Sequence, residues 1–403
     1  MVKKKLDKLP ELFKKALPLT KKLQSHGFEV YFVGGSLRDW LLNEPINDLD
    51  LATNALPLEV KSLFPHSFDT GIQHGTVTVV LHHENYEITT FRTDGDYLDH
   101  RHPNSVKFVR NLEEDLKRRD FTINALAMSP QGEISDYYGG LADLNNKIIR
   151  CVLNPFERFN EDALRIFRAI RFVSQLNFSL DPITKKALIK KVPLLANISI
   201  ERIHHEFIKM MKGVAWQKSF KLIYQAKIDQ YMPSIQPSFK TQILENRFSK
   251  IVFHDEAEIW SFLFILNVFP INQISKVLNQ WKSSNSLIKN VQEICNFYQN
   301  YETGLRDYQL FYGLKLSNIK IGTFLLNKIN NCKLGESFLD GYNNLPIHQI
   351  SDLAISGKDL IQFANFQPGK ELGKMLKLFE NKVLKREINN NKQDLIAYAR
   401  SQK

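Results

Sequence analysis

The sequence predicts a mixed α/β N-terminal third followed by an all-helical remainder. Up to about residue 150, short apolar runs typical of strands alternate with helical patterns and turns, whereas helical periodicity dominates from Pro155 onward. The 403 residues, 43% of them hydrophobic, suffice for more than one buried core. At about 100–200 residues per domain, we expect roughly two to four domains.

The first elements follow from the spacing of apolar residues and from Pro and Gly. We predict, in chain order, a helix from Lys8 to His26, a strand from Phe28 to Val33, a short helix from Leu37 to Leu42, a strand from Leu49 to Thr53 and a helical turn after Pro57.

A β-hairpin is predicted next, because two β-branched, mostly alternating runs flank a polar break. The runs are Thr76–His82 and Tyr86–Arg92, with the turn at His83-Glu84-Asn85. Ser105–Val109 is a further strand candidate. The charged, turn-rich stretch Phe91–Pro103 between them is predicted to be a mobile loop.

The charge balance favours a polyanionic partner. The 54 Lys and Arg residues outnumber the 43 Asp and Glu residues and give a net charge of +11. Nucleic acid and an anionic membrane surface both fit such a balance, and so does a merely basic protein. No run approaches the roughly 18 apolar residues of a membrane span, so we expect no membrane association.

The cysteines and the N-terminus both point to the cytoplasm. Cys151, Cys295 and Cys332 are too scattered for a zinc site and too few for a disulfide framework. A reducing cytoplasm is the simplest fit. The basic N-terminus lacks an uninterrupted apolar segment, so a signal peptide is not expected.

The stretch from Val33 to Leu51 combines a phosphate cradle with a metal-binding pair. Its glycine pair ends an apolar run and precedes a helical pattern, and backbone N–H groups there can approach an anion closely. Asp48 and Asp50 are two apart in the next run, so on a strand their side chains face the same way. Neighbouring carboxylates repel unless a cation neutralises them, and oxygen ligands suit Mg²⁺. This combination suggests nucleotidyl transfer.

Two further clusters of charged residues support the prediction of nucleotidyl transfer. The first, R-R-D-F-T-I-N-A from Arg118 to Ala125, offers Arg119 as a planar, always charged clamp for a triphosphate. Taken alone, such a charged run is more often a solvated helix end.

The other cluster, E-D-A-L-R-I-F-R-A-I-R-F from Glu161 to Phe172, is predicted to be one helix. Asp162 and Arg165 would then be neighbours, either as a simple ion pair or as a base reader. A carboxylate accepts from the exocyclic amine of cytosine or adenine, and a guanidinium donates to the ring nitrogen beside it. Guanine and uracil present the reverse pattern and would be rejected.

Together these motifs resemble those of the bacterial class II CCA-adding enzymes, tRNA nucleotidyltransferases of the polymerase-β-like superfamily. The G-G-x-x-R-D…D-x-D segment, R-R-D-F-T-x-N-A and E-D-x-x-R-x-x-R-x-x-R-F all match without gaps. Two later motifs also match, D-Y-Y-G-G at Asp136–Gly140 and I-E-R-I-x-x-E at Ile200–Glu206. The resemblance is specific over residues 28 to about 210 and fades in the C-terminal half.

The resemblance implies the site and the domains. It implies Mg²⁺ ligands at Asp48 and Asp50, and nucleotide contacts at Gly35, Arg38, Arg119, Asp162, Arg165, Arg168 and Arg171. The implied domains are a nucleotidyltransferase head over residues 1–150, a helical neck over 151–210, a helical body over 211–290 and a tRNA-binding helical tail over 291–403.

The implied activity is template-independent addition of C, C and A to the 3′ end of tRNA from CTP and ATP. CC-adding and A-adding enzymes and bacterial poly(A) polymerases share the fold and remain alternatives, as does a catalytically silent RNA-binding protein. The loop Arg92–Pro103 has full length here, which favours complete CCA addition over CC addition. The intact Asp48 and Asp50 argue against a pure binding module. The oligomeric state stays open, with a homodimer as one option.

Three other features of the sequence also have a purely structural interpretation. His254-Asp255 resembles the dipeptide of metal-dependent phosphohydrolases but lacks further ligands at suitable spacing, so we interpret it as a surface dipeptide. The aromatic residues from Trp260 to Phe269 have the spacing of a helical core. Glu87 is either a third metal-site carboxylate or a solvent-facing residue, and the sequence does not decide between them.

Overall fold

The structure is a computed structural model, and it describes residues 2–5, 9–46, 48–95, 106–233 and 248–402. The chain forms two compact units, Met1–Ile235 and Gln236–Lys403. The first contains all the strands described and the second is helical, which confirms the predicted fold class. No described helix combines the length and the apolar character needed to cross a membrane.

An eight-stranded mixed sheet dominates the N-terminal unit. Its spatial order is β1-β10-β9-β2-β3-β6-β5-β4, and every neighbouring pair is antiparallel except β3 and β6. The strands are β1 Val2–Lys5, β2 Val30–Val33, β3 Asp50–Thr53, β4 Ser67–Gly71, β5 Thr76–Leu81, β6 Glu84–Thr90, β9 Leu126–Met128 and β10 Glu133–Asp136. Two small ribbons are made by β7 Arg92–Asp94 with β8 Val106–Phe108, and by β11 Ile148–Ile149 with β12 Ser179–Leu180.

Ten α-helices accompany these strands in the described part of the first unit. They are α1 Glu11–Ser25, α2 Gly34–Leu41, α3 Pro57–Leu63, α4 Leu112–Lys117, α5 Gly140–Asn145, α6 Pro155–Glu161, α7 Leu164–Leu176, α8 Pro182–Lys191, α9 Ile200–Met211 and α10 Trp216–Gln225. The predicted first helix and the strands and helices around the glycine pair are therefore confirmed, with ends shifted by a few residues.

The second unit contributes nine further α-helices to the described residues. They are α11 Glu256–Leu266, α12 Ile271–Gln280, α13 Asn285–Glu302, α14 Tyr308–Phe311, α15 Leu316–Ile329, α16 Asp340–Asn343, α17 Gly357–Ala364, α18 Lys370–Leu384 and α19 Lys392–Ser401. Trp260, Phe262 and Phe264 are buried in α11, which confirms their interpretation as helical core.

The predicted hairpin exists, but its turn is one residue shorter than expected. The strands β5 and β6 pair from Thr76 to Leu81, and the turn consists of His82 and His83, both with positive φ (51° and 65°). Two-residue hairpin loops with this conformation match the twist of the strands. The sequence prediction missed it because that turn usually contains Asn and Gly.

The predicted mobile loop is wrong at its start. Arg92–Asp94 is strand β7, paired in antiparallel register with β8. The strand predicted near Ser105–Val109 is thereby confirmed as β8. Residues 96–103 of that loop lie outside the described residues.

Helix α7 is the central helix of the segment that follows the sheet. It packs closely against α9 and α10. Its face toward them contains Ile166, Phe167 and Ile170, all fully buried, at the i, i+1 and i+4 positions of one helical face. Polar bonds reinforce the contact, because the Ser219 hydroxyl donates to the carbonyl of Ile170 over 2.7 Å. A well-packed α7 can hold its arginines in fixed positions.

Candidate active site

A cavity of about 780 Å³ in the N-terminal unit collects most of the predicted site residues. Nine arginine and lysine side chains and three aspartates are among the residues that line it. Its lining residues include Gly35, Arg38, Asp50, Arg119, Asp162, Arg165, Arg168 and Arg171, whereas Asp48 is not among them. An excess of fixed positive charge in a concave site attracts a polyanion.

The backbone at Gly34 lies close to two charged side chains of the cavity. Its φ of +74° belongs to the left-handed region that favours glycine. A Cβ atom there would lie 3.3 Å from Asp50 Oδ2 and 3.4 Å from Arg119 Nη1. Helix α2 therefore begins at the glycine pair, and the missing Cβ of Gly34 leaves room between the Asp50 carboxylate and the Arg119 guanidinium.

The carboxylates gather where β3 begins. Asp50 is the first residue of β3, so Asp48 precedes the strand rather than lying on it as expected, and Asp48 is exposed. Glu87 lies opposite Asp50 in the parallel register of β3 and β6. Burial raises the pKa of Asp50, the negative charges of Glu87 and Asp48 raise it further, and Arg119 opposes them. Glu87, whose role the sequence leaves open, is therefore a neighbour of Asp50, one of the two predicted metal ligands.

No group of three or more His, Cys, Asp or Glu side chains within the described ranges is arranged to hold a metal on its own. The dipeptide His254-Asp255 therefore belongs to no such group within these ranges. Instead, Asp255 caps α11 by accepting from the backbone N–H of Ala257. A metal at Asp48 and Asp50 would therefore need ligands from a bound substrate. Mg²⁺ commonly binds through one or two carboxylates together with substrate phosphates and water, so the donor set fits that ion.

One buried aspartate holds both arginines of the R-R-D motif. Arg118 and Arg119 both contact Asp115, over 2.9 and 3.2 Å, and Asp115 is only 1% exposed. These two guanidiniums lower the pKa of Asp115 against the effect of burial. Asp115 Oδ2 thereby orients the guanidinium of Arg119, the predicted triphosphate clamp.

Asp120 connects this motif to α7. Arg168 Nε donates to Asp120 Oδ2 over 2.8 Å, and Asn124 Nδ2 donates to Oδ1 over 2.9 Å. These partners hold the pKa of Asp120 well below its usual range, although burial acts in the opposite direction. Arg168, predicted to contact nucleotide, therefore also holds α7 to the triphosphate clamp.

Phe172 supports three guanidiniums at one wall of the cavity. The guanidinium carbons of Arg38, Arg168 and Arg171 lie 5.1, 5.7 and 4.4 Å from the centre of its ring. The face of an aromatic ring attracts cations, which offsets part of their mutual repulsion. Burial lowers the pKa of Arg171 to about 10, and the nearby Arg168 contributes to the decrease. An anion bound between these residues would be strongly stabilised.

The single helix predicted from Glu161 to Phe172 is wrong at its start. The chain leaves α6 at Asp162, which has an extended backbone (φ −132°, ψ 105°), and α7 begins at Leu164. Asp162 Oδ1 accepts from the backbone N–H of Leu164 over 3.0 Å, so its side chain satisfies one of the free donors at the start of α7.

The base-reading pair predicted from the sequence is not an ion pair in this structure. Arg165 Nη1 contacts Glu161 Oε2 over 2.6 Å, and Nη2 donates to the carbonyl of Arg118 over 3.2 Å. The nearest cation of Asp162 is Arg202, whose Nη2 lies 3.5 Å from Oδ2. Both predicted readers line the cavity, and each has its own counter-ion.

Helix α9 supplies partners that sequence reasoning did not assign. Besides Arg202, its Glu206 lies 2.9 Å from Arg171 Nε and is itself buried. Arg202 and Glu206 are four residues apart and therefore share one helical face. The motif I-E-R-I-x-x-E contained the signal, but nothing in the sequence showed that it faces α7.

The D-Y-Y-G-G motif supports the site without lining the cavity. Asp136 accepts from four consecutive backbone N–H groups, those of Tyr138, Gly139, Gly140 and Leu141, over 2.8–3.2 Å. A Cβ atom at Gly140 would lie 2.3 Å from the carbonyl oxygen of Thr122, within the segment that follows R-R-D. This turn therefore packs directly against the clamp.

Family models match three parts of the chain. The model described as "Poly A polymerase head domain" matches residues 30–150. "Probable RNA and SrmB- binding site of polymerase A" matches residues 177–239, and "tRNA nucleotidyltransferase domain 2 putative" matches residues 251–399.

Relatives resemble the chain over nearly its full length. A protein of Ligilactobacillus salivarius named CCA-adding enzyme is 42% identical over 98% of each chain, and one of Enterococcus faecalis is 41% identical over 99% of this chain and 98% of its own. The crystal structure of the Bacillus stearothermophilus CCA-adding enzyme in complex with CTP superposes with a TM-score of 0.88, at 33% identity over 98% of each chain.

Proposed function

The chain belongs to the family of the CCA-adding enzymes, and from this premise we propose that it extends the 3′ end of tRNA by C, C and A, using CTP and ATP. The observation that carries the proposal is one cavity lined by a carboxylate of the predicted metal pair, by the arginines of the triphosphate clamp and by Asp162 with Arg165. Such a cavity can hold a whole nucleoside triphosphate.

The reaction we propose is an in-line displacement at phosphorus. The 3′-hydroxyl oxygen of tRNA forms a bond to the α-phosphorus of the nucleotide, the bond from that phosphorus to the bridging oxygen breaks, and pyrophosphate leaves with the bond electrons. Such chemistry depends mainly on positioning and on stabilising charge.

Asp48 and Asp50 are the proposed metal ligands. Two Mg²⁺ ions bound there, together with substrate phosphates, would favour ionisation of the hydroxyl and stabilise the leaving oxygens. Superfamily members are metal-dependent nucleotidyltransferases, and the identity of the ion as Mg²⁺ is part of our proposal. Burial raises the pKa of Asp50, and the negative charges of Glu87 and Asp48 raise it further, a repulsion that a bound cation would relieve.

The proposed nucleotide contacts divide into two groups. Arg38 and Arg119 would neutralise the triphosphate, and Gly35 would let it approach the backbone, since all three line the cavity beside Asp50. Arg168 and Arg171, supported on Phe172, would reach phosphate or ribose. Two nitrogens of Arg168 are already used by Asp120, which limits it to a supporting contact.

Asp162 and Arg165 are the proposed base readers. The carboxylate would accept from the amine of cytosine or adenine, and the guanidinium would donate to the adjacent ring nitrogen. Arg165 already donates to Glu161 and to the carbonyls of Arg158 and Arg118, which uses at least three of the five N–H donors of its guanidinium.

The four predicted domains and a cytoplasmic location also stay proposals. The helical C-terminal half would grip the tRNA through its phosphates and its shape, consistent with the basic composition. tRNA is processed where reduced cysteines persist, and the three cysteines here are free.

Purified protein incubated with tRNA lacking its 3′ terminus tests the proposal. We expect two cytidines with CTP alone and a complete CCA end with CTP and ATP. Products that stop at CC with both nucleotides present would indicate a CC-adding enzyme, and a poly(A) ladder on unrelated RNA would indicate a polymerase. The variants Asp48→Ala and Asp50→Ala should abolish incorporation. Activity equal to wild type in either variant would contradict the assigned metal ligands.

A further inference from the structure

Helix α9 carries two charged residues that contact side chains proposed to bind the nucleotide. Arg202 lies 3.5 Å from Asp162, and Glu206 lies 2.9 Å from Arg171. Both are in the motif I-E-R-I-x-x-E, to which the proposed chemistry gives no role. The side chain of Arg202 is 27% exposed, that of Asp162 is 18% exposed, and both residues line the cavity.

Asp162 depends on this contact for its orientation. It lies between α6 and α7, with an extended backbone. One oxygen, Oδ1, is held by the backbone N–H of Leu164, and the other, Oδ2, is reached only by Arg202 in the described part of the chain. The direction in which Oδ2 faces the cavity is therefore set by the guanidinium.

The contact between Arg202 and Asp162 leaves both side chains able to form a further hydrogen bond with a ligand. An ionised carboxylate oxygen has two lone-pair directions, so Oδ2 can accept from Arg202 and from a base amine together. A separation of 3.5 Å is longer than the about 2.7–2.9 Å of a tight charge-assisted bond. Arg202 Nη1 is also buried without a hydrogen-bond partner among the described residues.

We propose that Arg202 is a positioning residue for base selection, which holds Asp162 so that its free lone pairs face the amine of cytosine or adenine. The inference rests on the proposed function, because Asp162 must read the base. Without the guanidinium the carboxylate can rotate, and it then accepts from the correct amine less well. Uracil and guanine present an oxygen where cytosine and adenine present the amine. Discrimination against uracil and guanine therefore falls when the carboxylate accepts less well from the amine.

Single-nucleotide incorporation assays test the proposal. CTP is compared with UTP on tRNA lacking its 3′ end, and ATP is compared with GTP on tRNA ending in CC. We expect Arg202→Gln to lower the ratio of kcat/KM for the correct over the incorrect nucleotide by about tenfold, the range of one hydrogen bond to a charged group. Arg202→Lys keeps the charge but loses the planar fork, so we expect a fall of roughly threefold.

Lys212→Gln is the matched control, since Lys212 is an exposed cation at the end of α9 that does not line the cavity. Its ratio should equal that of wild type. Wild-type ratios in both Arg202 variants would overturn the proposal, and so would an equal fall in Lys212→Gln.

A thermal unfolding midpoint for each variant identifies any loss of folding. If Arg202→Gln does not fold, Arg202→Lys decides, and an unchanged ratio there overturns the proposal. A wild-type protein that adds no C and A would instead contradict the proposed function, so the two failures are distinguishable.

Discussion

At the scale of single residues, Asp120 is where the two halves of the site are joined. It is 8% exposed and accepts from Arg168 of α7 and from Asn124. A carboxylate that loses its charge in such a place leaves a guanidinium without a counter-ion. The stability of the site therefore depends on a residue that need not touch the substrate.

We expect Asp120→Asn to lower the free energy of unfolding by about 3 kcal/mol at pH 7. This is the lower end of the range for breaking a buried ion pair, chosen because the Arg168 side chain is 34% exposed. Urea unfolding of both proteins measures the difference, and values within 0.5 kcal/mol, roughly the scatter of neutral surface changes, would contradict the account.

The same variant has a predictable pH dependence. The pKa of Asp120 is lowered in the folded protein, so its contribution is present above the unfolded pKa of about 4 and is lost as the pH falls through the folded pKa. The stability difference between wild type and Asp120→Asn should therefore narrow as the pH falls below about 4. A difference that stays constant from pH 7 to pH 3 would exclude this origin.

Arg119→Lys tests the triphosphate clamp. Lysine keeps the charge but cannot hold Asp115 and a phosphate with one planar fork. We expect kcat/KM to fall about tenfold for CTP and for ATP alike, because both carry the same triphosphate. Steady-state kinetics with each nucleotide measures this, and a change confined to one nucleotide would place Arg119 at the base instead.

Most proposed site residues were predictable because their motifs are contiguous in sequence. Arg119, Asp162 and Arg165 all occur in short, dense clusters of charge, and the structure brings them to one cavity. Arg202 was not predictable as a partner of Asp162, since 40 residues separate them. Pairing across such a distance follows from how α9 packs on α7, which periodicity alone does not reveal.

At the scale of elements, the turn after β10 illustrates how glycines keep the clamp in place. Gly139 has a φ of +80° and open space around its missing Cβ, whereas a Cβ at Gly140 would overlap the backbone of Thr122. The two neighbouring glycines are therefore required for different physical reasons, conformation in one case and close packing in the other.

These reasons predict unequal costs for the same substitution. Gly139→Ala should cost about 1 kcal/mol from the left-handed backbone. Gly140→Ala should cost 3 kcal/mol or more, at or above the usual range of about 1–3 kcal/mol for overpacking, because backbone atoms must move. Chemical denaturation of both variants checks the order, and a larger cost at Gly139 would contradict the packing described here.

Two features of the secondary structure, the break between α6 and α7 and the strand β1, could not be predicted from the local sequence. The break between α6 and α7 was not predicted because four of the five residues in E-D-A-L-R are good helix formers. The remaining residue, Asp162, instead caps the start of α7 by accepting from the backbone N–H of Leu164. Strand β1, with the sequence V-K-K-K, has no alternating apolar pattern and forms by pairing with β10. Both depend on contacts that local propensity does not contain.

At the scale of the whole molecule, charge governs the encounter with RNA. The net charge of +11 is spread over 403 residues, and nine cations line the cavity alone. Binding a polyanion releases condensed counterions, so affinity depends steeply on salt. The fold class was predictable at this scale from periodicity, whereas the four-domain division stays a prediction.

We expect the affinity for tRNA to fall by at least tenfold between 50 and 200 mM KCl, which corresponds to about two or more phosphate contacts at a log–log slope of roughly −0.9 each. Filter binding at several salt concentrations measures the slope. An affinity independent of salt would argue against recognition through phosphates.

Sequencing the 3′ ends of tRNA after incubation with all four nucleotides tests the central claim most directly. One protein site is proposed to choose C, C and A with no nucleic-acid template, through Asp162 and Arg165. The account predicts ends that read CCA and stop, with uridine and guanosine absent from the added positions. Ends that contain uridine or guanosine, that stop at CC or that continue into adenosine runs would contradict it.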